Sequence, residues 1–424
     1  MTTGSLALII LAMIFVQVAI VMLLILHRRK REYQVLDTRK DISPVVSIPS
    51  NPIPTAEPVT TAFTWEGFRE FSVQRREVED INRSICSFYL VPLDGKPLPT
   101  FKPGQFLTFR LLIEDPVTHI VKTIVRCYSL SDSPQPDYYR ISVKRVSAPV
   151  DQPHIPPGLS SNFFHDHIQE GSTVLVKAPS GHFHLMDNEH LPIVLICGGI
   201  GITPMLSILN TILEQEIKTE VWLYYGIRNA DEHIMKEKLQ VLAVMHENFH
   251  LHVCYSAPNQ NDVEGVDYQH NTRVEISLLR ATLKLMRHQF YVCGPKSMME
   301  SLVPDLEDWG VNSDDIYYES FGPATLTRHK KTVPVVSSAD PINITFSQTG
   351  KSIPWDPTAD SLLEFAEANG IEVESGCRAG SCGSCQTKVK NGDIDYNQDP
   401  DADVAPGHCL LCISKPENNL TLEL

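Results

Sequence analysis

Near the carboxyl end, four cysteines stand where they leave the surrounding chain little freedom: Cys377-Arg378-Ala379-Gly380-Ser381-Cys382-Gly383-Ser384-Cys385, and later Cys412. A C-x4-C-x2-C run followed at a distance by a fourth Cys is a spacing that holds a [2Fe-2S] cluster, since two irons need four soft anionic ligands. Gly380, Ser381, Gly383 and Ser384 are small enough for the backbone to wrap closely and aim amide N–H groups at the sulfurs. Zinc is the weaker reading, because its structural sites favour paired C-x2-C knuckles. Free core thiols are weaker too, for they would not sit in a Gly-Ser loop. Five of the ten cysteines fall between 377 and 412, which is how metal ligands cluster.

The 424-residue chain is long enough for two or three domains. Its formal net charge of -15 excludes a nucleic-acid partner, because phosphate binding needs a basic surface. One segment departs from an otherwise soluble composition. SLALIILAMIFVQVAIVMLLIL, residues 5–26, carries no charge and a single Gln17, and about 20 apolar residues span a bilayer core as a helix. The basic cluster His27-Arg28-Arg29-Lys30-Arg31 follows the apolar run rather than preceding it, unlike a cleaved signal peptide. Cationic flanks stay in the cytoplasm, so the expectation is a single-pass transmembrane helix in the inner (plasma) membrane with the catalytic domains cytoplasmic. In that reducing compartment the cysteines are thiols or metal ligands.

Residues 27–64 combine the basic flank with Pro44, Pro49, Pro52, Pro54 and Pro58, a semi-extended linker. From 65 to 187 come short β-type runs, SFYLVPL, GQFLTFRLLI, TIVRCYSLS, YRISVKRV and TVLVKAP, the pattern of a small antiparallel barrel. Between 188 and 323 buried apolar strands alternate with helices expected near Pro204–Leu213, Glu232–Val244, Ile276–Met286 and Ser297–Trp309. That alternation predicts a parallel α/β sheet. A Thr-, Lys- and Pro-containing linker at 324–339 leads to 340–424, where a hairpin at Gly350 and a helix stopped by Gly370 predict a small α+β domain. The fold class is therefore multidomain: N-terminal helix, β-barrel, α/β domain and α+β domain.

Two further motifs bear on chemistry. In Arg126-Cys127-Tyr128-Ser129, strand alternation puts Arg126 and Tyr128 on one face. A flavin needs such a cation for its phosphates, an aromatic ring to stack on and a hydroxyl donor, although an exposed strand with a paired Arg would look the same. Gly158-Leu159-Ser160-Ser161 then opens a helix, whose free amides make a phosphate cradle. Val143 and Lys144, in YRISVKRV, complete this flavin set. Gly198-Gly199-Ile200-Gly201-Ile202-Thr203-Pro204 lies between a buried strand and a helix, and Cys293-Gly294-Pro295 ends another strand at the same carboxyl edge. Ligands of open α/β sheets bind at that edge. The plain alternatives are a ligand-free glycine turn and, for Cys293, a small buried hydrophobe.

Taken in order, R-x-Y-S, G-x-x-S, G-G-x-G-x-T-P, C-G-P and E-x-F, here Glu319-Ser320-Phe321, resemble the ferredoxin-NADP reductase superfamily. GLSSNFFHD with APSGHF is similar to the reductase half of flavohaemoglobins. The cysteine loop resembles plant-type ferredoxins, whose last cysteine lies in L-x-C-x-x-x-P. Leu410-Leu411-Cys412-Ile413-Ser414-Lys415-Pro416 fits that pattern, making Cys412 rather than Cys409 the expected fourth ligand and leaving the role of Cys409 open. A β-grasp-like ferredoxin domain following the reductase domains is similar to the reductase components of bacterial oxygenases.

The resemblance implies that Arg126, Tyr128 and Ser129 contact flavin and that Gly158 to Ser161 hold its phosphate. It also implies that Thr203 and Cys293 face the nicotinamide and that Phe321 lies beside the isoalloxazine ring. Ser129, Cys293 and Phe321 are then the catalytic candidates. FAD is expected over FMN. Arg228 could hold a 2′-phosphate, but Asp231 and Glu232 oppose one, so NADH is favoured over NADPH. The implied activity passes a hydride to the flavin, then single electrons through the cluster to a membrane-associated oxygenase, hydroxylase or desaturase. The alternative is a respiratory NADH dehydrogenase feeding quinone or a membrane complex. Sodium-pumping quinone reductases resemble that alternative, but their ferredoxin module precedes the flavin domain.

Overall fold

The computed structural model describes residues 65–114, 119–148, 157–186, 191–321, 341–378, 380, 382–397, 400 and 402–424. The apolar run at 5–26, the linker at 27–64 and the linker at 324–339 lie outside the described residues. Among the described residues no helix is long and apolar enough to cross a membrane.

Six antiparallel strands come first: β1 (Arg69–Val78), β2 (Ile85–Pro92), β3 (Phe106–Glu114), β4 (Val121–Ser129), β5 (Tyr139–Lys144) and, after helix α1 (Leu159–His167), β6 (Thr173–Val176). Their order is β4-β3-β6-β1-β2-β5. Leu130 bridges Ile141, and the Ser131 N–H donates to the Arg140 carbonyl, so the two edges meet and the sheet curls on itself. Alternating side chains point inward, and Phe71, Phe88, Phe109, Tyr139 and Phe164 fill the interior. The β1 sequence REFSVQRREV is too charged to read as a strand, yet Phe71 and Val73 are fully buried. Its register then slips between Val73 and Arg75, a bulge that interrupts the alternation.

A second sheet holds β7 (Ile193–Gly198), β8 (Val221–Ile227), β9 (Phe249–Tyr255), β10 (Gln289–Gly294) and β11 (Ile316–Ser320). All pairs are parallel, in the order β11-β10-β7-β8-β9. Helices α2 (Ile202–Glu214), α3 (Lys236–Met245), α4 (Ile276–Thr282) and α5 (Lys296–Asp308) alternate with the strands. Two helices are shorter than their sequence patterns. The α3 helix starts only after Met235, which is left-handed at φ 52, while Ala230–Glu232 forms a separate turn capped by Asn229. The α4 helix stops at Thr282 rather than Met286, because beyond it Leu285 finds no apolar surface and is 95% exposed.

The last domain has β12 (Asn343–Phe346), β13 (Lys351–Pro354), helix α6 (Leu362–Ala368), β14 (Gln386–Asn391), β15 (Ile394–Tyr396), β16 (His408–Leu410), β17 (Ser414–Pro416) and β18 (Leu420–Leu422). The sheet order is β13-β12-β18-β14-β16, with β12 and β18 parallel and β15 paired separately with β17. Ser361 caps α6 by accepting from the Glu364 N–H, and Phe365 packs on Phe346 and Trp355.

Candidate functional site

Strand β4 separates two environments. The Tyr128 ring meets Phe109 and Phe164 edge-on, and its hydroxyl lies 2.8 Å from Ser160 Oγ in the first turn of α1. Burial pushes the Tyr128 phenol up to about 12. Gly158 precedes α1 with no side-chain cap on the helix, so first-turn amides are left for a phosphate. The Ser161 hydroxyl is engaged locally, donating to the Gly158 carbonyl at 3.1 Å and accepting from Val146 N–H at 3.2 Å. Leu159 is half exposed. Val143 points into the barrel core, and Lys144 approaches Glu232 at 3.9 Å.

The opposite face of β4 meets the cysteine loop. Val125 packs so close to Gly376 that a methyl added there would sit 3.1 Å from Val125 Cγ1 and 2.8 Å from Cys382 Sγ. Cys127 was expected with the flavin set, but alternation turns it to this side. Its thiol is within hydrogen-bonding reach of Cys377 and Cys382 and lies 3.3 Å from Thr108 Oγ1. Arg126 also reaches across, donating to the Ser375 carbonyl at 3.3 Å and to the Val125 carbonyl at 2.7 Å.

Between the barrel and the parallel sheet, Ser129 Oγ donates to Glu319 Oε2 at 3.3 Å. Burial lifts the Glu319 carboxyl to about 8, against the pull of that hydrogen bond. Glu319 stands in register beside Cys293 on the neighbouring strand, and burial drives the Cys293 thiol well above its ordinary value. Strands β7 and β10 adjoin, while the helices that follow them leave in different directions of the strand order, the switch point where ligands bind. There Gly201 passes so near the Cys293 carbonyl that any Cβ would collide with it. Gly198 and Gly294 touch in the same way, a methyl on Gly294 falling 3.0 Å from Gly198 N. Ile202, Thr203 and Pro204 open α2 and are buried, Thr203 Oγ1 donating to the Ile200 carbonyl at 3.0 Å. Gly199 adopts φ +53 and Pro295 precedes α5. Phe321 follows β11 and is 38% exposed.

Sequence reasoning missed two residues here. Glu319 entered only as a motif letter, although an ionisable residue ending a buried strand was a signal. Asp132 gave none. It fixes the cleft by accepting from Asn210 Nδ2 at 2.7 Å, pairing with Arg140 at 3.3 Å and offering its carbonyl to Ser207 Oγ at 2.8 Å.

In the cysteine loop, the Cys377 N–H donates to Cys382 Sγ and the Cys382 N–H to Cys377 Sγ, both at 3.2 Å. The thiols of Cys385 and Cys412 form a second pair within hydrogen-bonding reach. Among the described residues no three or more His, Cys, Asp or Glu side chains are placed to hold a single metal ion. Two thiol pairs are instead what two irons need. Hydrogen bonds from Cys127 and then Cys377 hold the Cys382 thiol far below its ordinary value. Cys409 turns away into the core on β16, where burial raises its thiol to about 12. Lys177 Nζ closes the loop against the barrel by donating to the Cys382 carbonyl at 3.1 Å.

A family model described as an oxidoreductase NAD-binding domain matches residues 195–303, and one described as a 2Fe-2S iron-sulfur cluster binding domain matches 344–417. The flavohemoprotein of Halalkalibacterium halodurans is 39% identical over 260 residues, 61% of this chain. The chain spans 61% of that relative's length. The structure of the flavohem-like FAD/NAD-binding domain of a Vibrio cholerae nitric oxide dioxygenase is 32% identical over 61% of this chain and all of that one, with a TM-score of 0.52. Phthalate dioxygenase reductase, described as a modular structure for electron transfer from pyridine nucleotides to [2Fe-2S], is 26% identical over 85% of this chain and 98% of its own, with a TM-score of 0.50. The chain therefore belongs to the ferredoxin reductase-like family of FAD/NAD-binding modules and carries a C-terminal 2Fe-2S ferredoxin domain, the composition of an iron-sulfur flavoprotein reductase.

Proposed function

We propose that this protein is a membrane-tethered NADH-dependent reductase that delivers single electrons from its [2Fe-2S] domain to an oxygenase, hydroxylase or desaturase. The carrying observation is the shared strand β4, with Tyr128 facing Ser160 of α1 on one side and Cys127 facing the cluster loop on the other. When bound, the flavin takes up a hydride and gives electrons singly, and the cluster carries them one at a time. The chain's own residues bind and orient. The first-turn amides of α1 hold phosphate, Tyr128 bounds the ring, and Ser129 with the protonated Glu319 supplies a hydrogen-bonded acid beside the nicotinamide. Cys293 and Thr203 close that pocket without charge. Arg228 lies 4.0 Å from Glu232, which Lys144 also approaches, and that acidic neighbour favours an unmodified ribose.

The similarity to phthalate dioxygenase reductase supports an oxygenase acceptor. The 5–26 apolar run followed by the basic cluster supports the tether. The test is to purify the full chain, measure flavin and iron, and compare NADH-driven reduction of cytochrome c and of a soluble quinone. Faster one-electron reduction of cytochrome c is expected. Far faster quinone reduction would favour the respiratory reading.

A further inference from the structure

The contact between strand β4 and the cysteine loop involves more than packing. Three barrel side chains reach into the loop: Lys177 to the Cys382 carbonyl, Arg126 to the Ser375 carbonyl, and the Cys127 thiol to Cys377 and Cys382. The two cations grip backbone oxygens and so fix the loop's distance from the barrel. Thr108 Oγ1, on the neighbouring strand β3, lies 3.3 Å from Cys127 Sγ and fixes the thiol's rotamer. Cys127 is therefore a fifth thiol beside the two pairs, contributed by a different domain and held by partners that do not belong to the loop.

Resting on the reading of Cys377, Cys382, Cys385 and Cys412 as cluster ligands, we infer that Cys127 is a positioning residue for the cluster, its single S–H shared across the domain boundary between the thiolates of Cys377 and Cys382. Hydrogen bonds to ligand sulfurs stabilise added negative charge, so they favour the reduced cluster and raise its potential. The flavin domain thereby sets the driving force for the electron it passes. The neighbouring Tyr128 and Ser129 lie on the same strand, so a shift of β4 on cofactor binding would move this donor too.

The experiment uses the full chain with flavin and iron bound. Cys127→Val removes the donor at similar volume, and Cys127→Ser keeps a donor. Iron content and the electron paramagnetic resonance signal after dithionite reduction establish the cluster independently of NADH. If the wild-type protein binds no iron and gives no such signal, the ligand reading itself fails. Given a cluster, equilibration with mediators of fixed potential is expected to show the reduced-to-oxidised ratio of Cys127→Val falling on the order of tenfold, the effect of losing one charge-assisted hydrogen bond. Tenfold is 59 mV for a one-electron couple. Cys127→Ser is expected to retain most of the wild-type ratio with shifted g-values. An unchanged ratio in Cys127→Val, or an equal displacement of the flavin couple, would overturn the inference. Loss of iron in both variants would also overturn it, since Cys127 would then act as a ligand or a structural support.

Discussion

Replacing Glu319 with Gln offers a direct reading of the site's electrostatics. In the folded protein the carboxyl is buried and lifted from 4.5 to about 8. Below pH 4.5 both folded and unfolded chains hold the proton. Between those two values the folded chain keeps a proton that the unfolded chain has released, so stability falls as pH rises, and above about 8 the penalty is complete. At 1.36 kcal/mol per unit, integration from pH 5 to pH 7 gives a loss of about 2.5 kcal/mol from this one group. Glu319→Gln cannot titrate and still accepts from Ser129. Urea unfolding of both proteins at the two pH values isolates the effect as a double difference, expected to be about 2.5 kcal/mol with the variant less pH-sensitive. If the two proteins lost stability in parallel, within about 0.5 kcal/mol, Glu319 would be ionised in the folded state and the buried-acid account would be wrong.

Four further outcomes follow from the geometry. Cys412→Ser is expected to lose the cluster, measured as iron per chain, whereas Cys409→Ser keeps it and loses only core stability, about 1 to 2 kcal/mol in a denaturant curve. Gly201→Ala drives a methyl into the Cys293 carbonyl and should cost about 1 to 3 kcal/mol, together with a raised KM for NADH in steady-state assays. Tyr128→Phe removes the bond to Ser160, so flavin affinity, followed by fluorescence, should weaken by about 1 kcal/mol. Lys177→Met frees the Cys382 carbonyl, and limited proteolysis should then cut the 375–385 loop faster than in the wild type.

Much of this arrangement could be read from the chain alone, because its strongest signals are local. Cysteine spacing, a buried strand running into Gly198-Gly199, and the alternation of apolar strands with helices each lie within a short window. What the sequence withheld depends on partners far along the chain. The inward faces of Phe71 and Val73 are masked by the charges of β1. Leu285 and Met286 continue a helical pattern but remain exposed, at 95% and 53%, with no apolar surface to cover them. Alternation was read at Arg126 and Tyr128 for the flavin side, yet the same alternation aims Cys127 at a domain some 250 residues away in sequence. That face had no meaning until the cysteine loop was seen against it. Asp132 likewise gains its role only when α2 supplies Ser207 and Asn210.

Electrons are proposed to run in a line from nicotinamide through the flavin module to the cluster across β4. Anaerobic rapid mixing of the full chain with NADH, followed optically for the flavin and by freeze-quenched electron paramagnetic resonance for the cluster, tests it most directly in wild type and Cys382→Ser. Flavin bleaching is expected first and the cluster signal afterwards in the wild type, with bleaching preserved and the signal lost in Cys382→Ser. Loss of flavin reduction in that variant, or a cluster signal preceding flavin bleaching in the wild type, would contradict it.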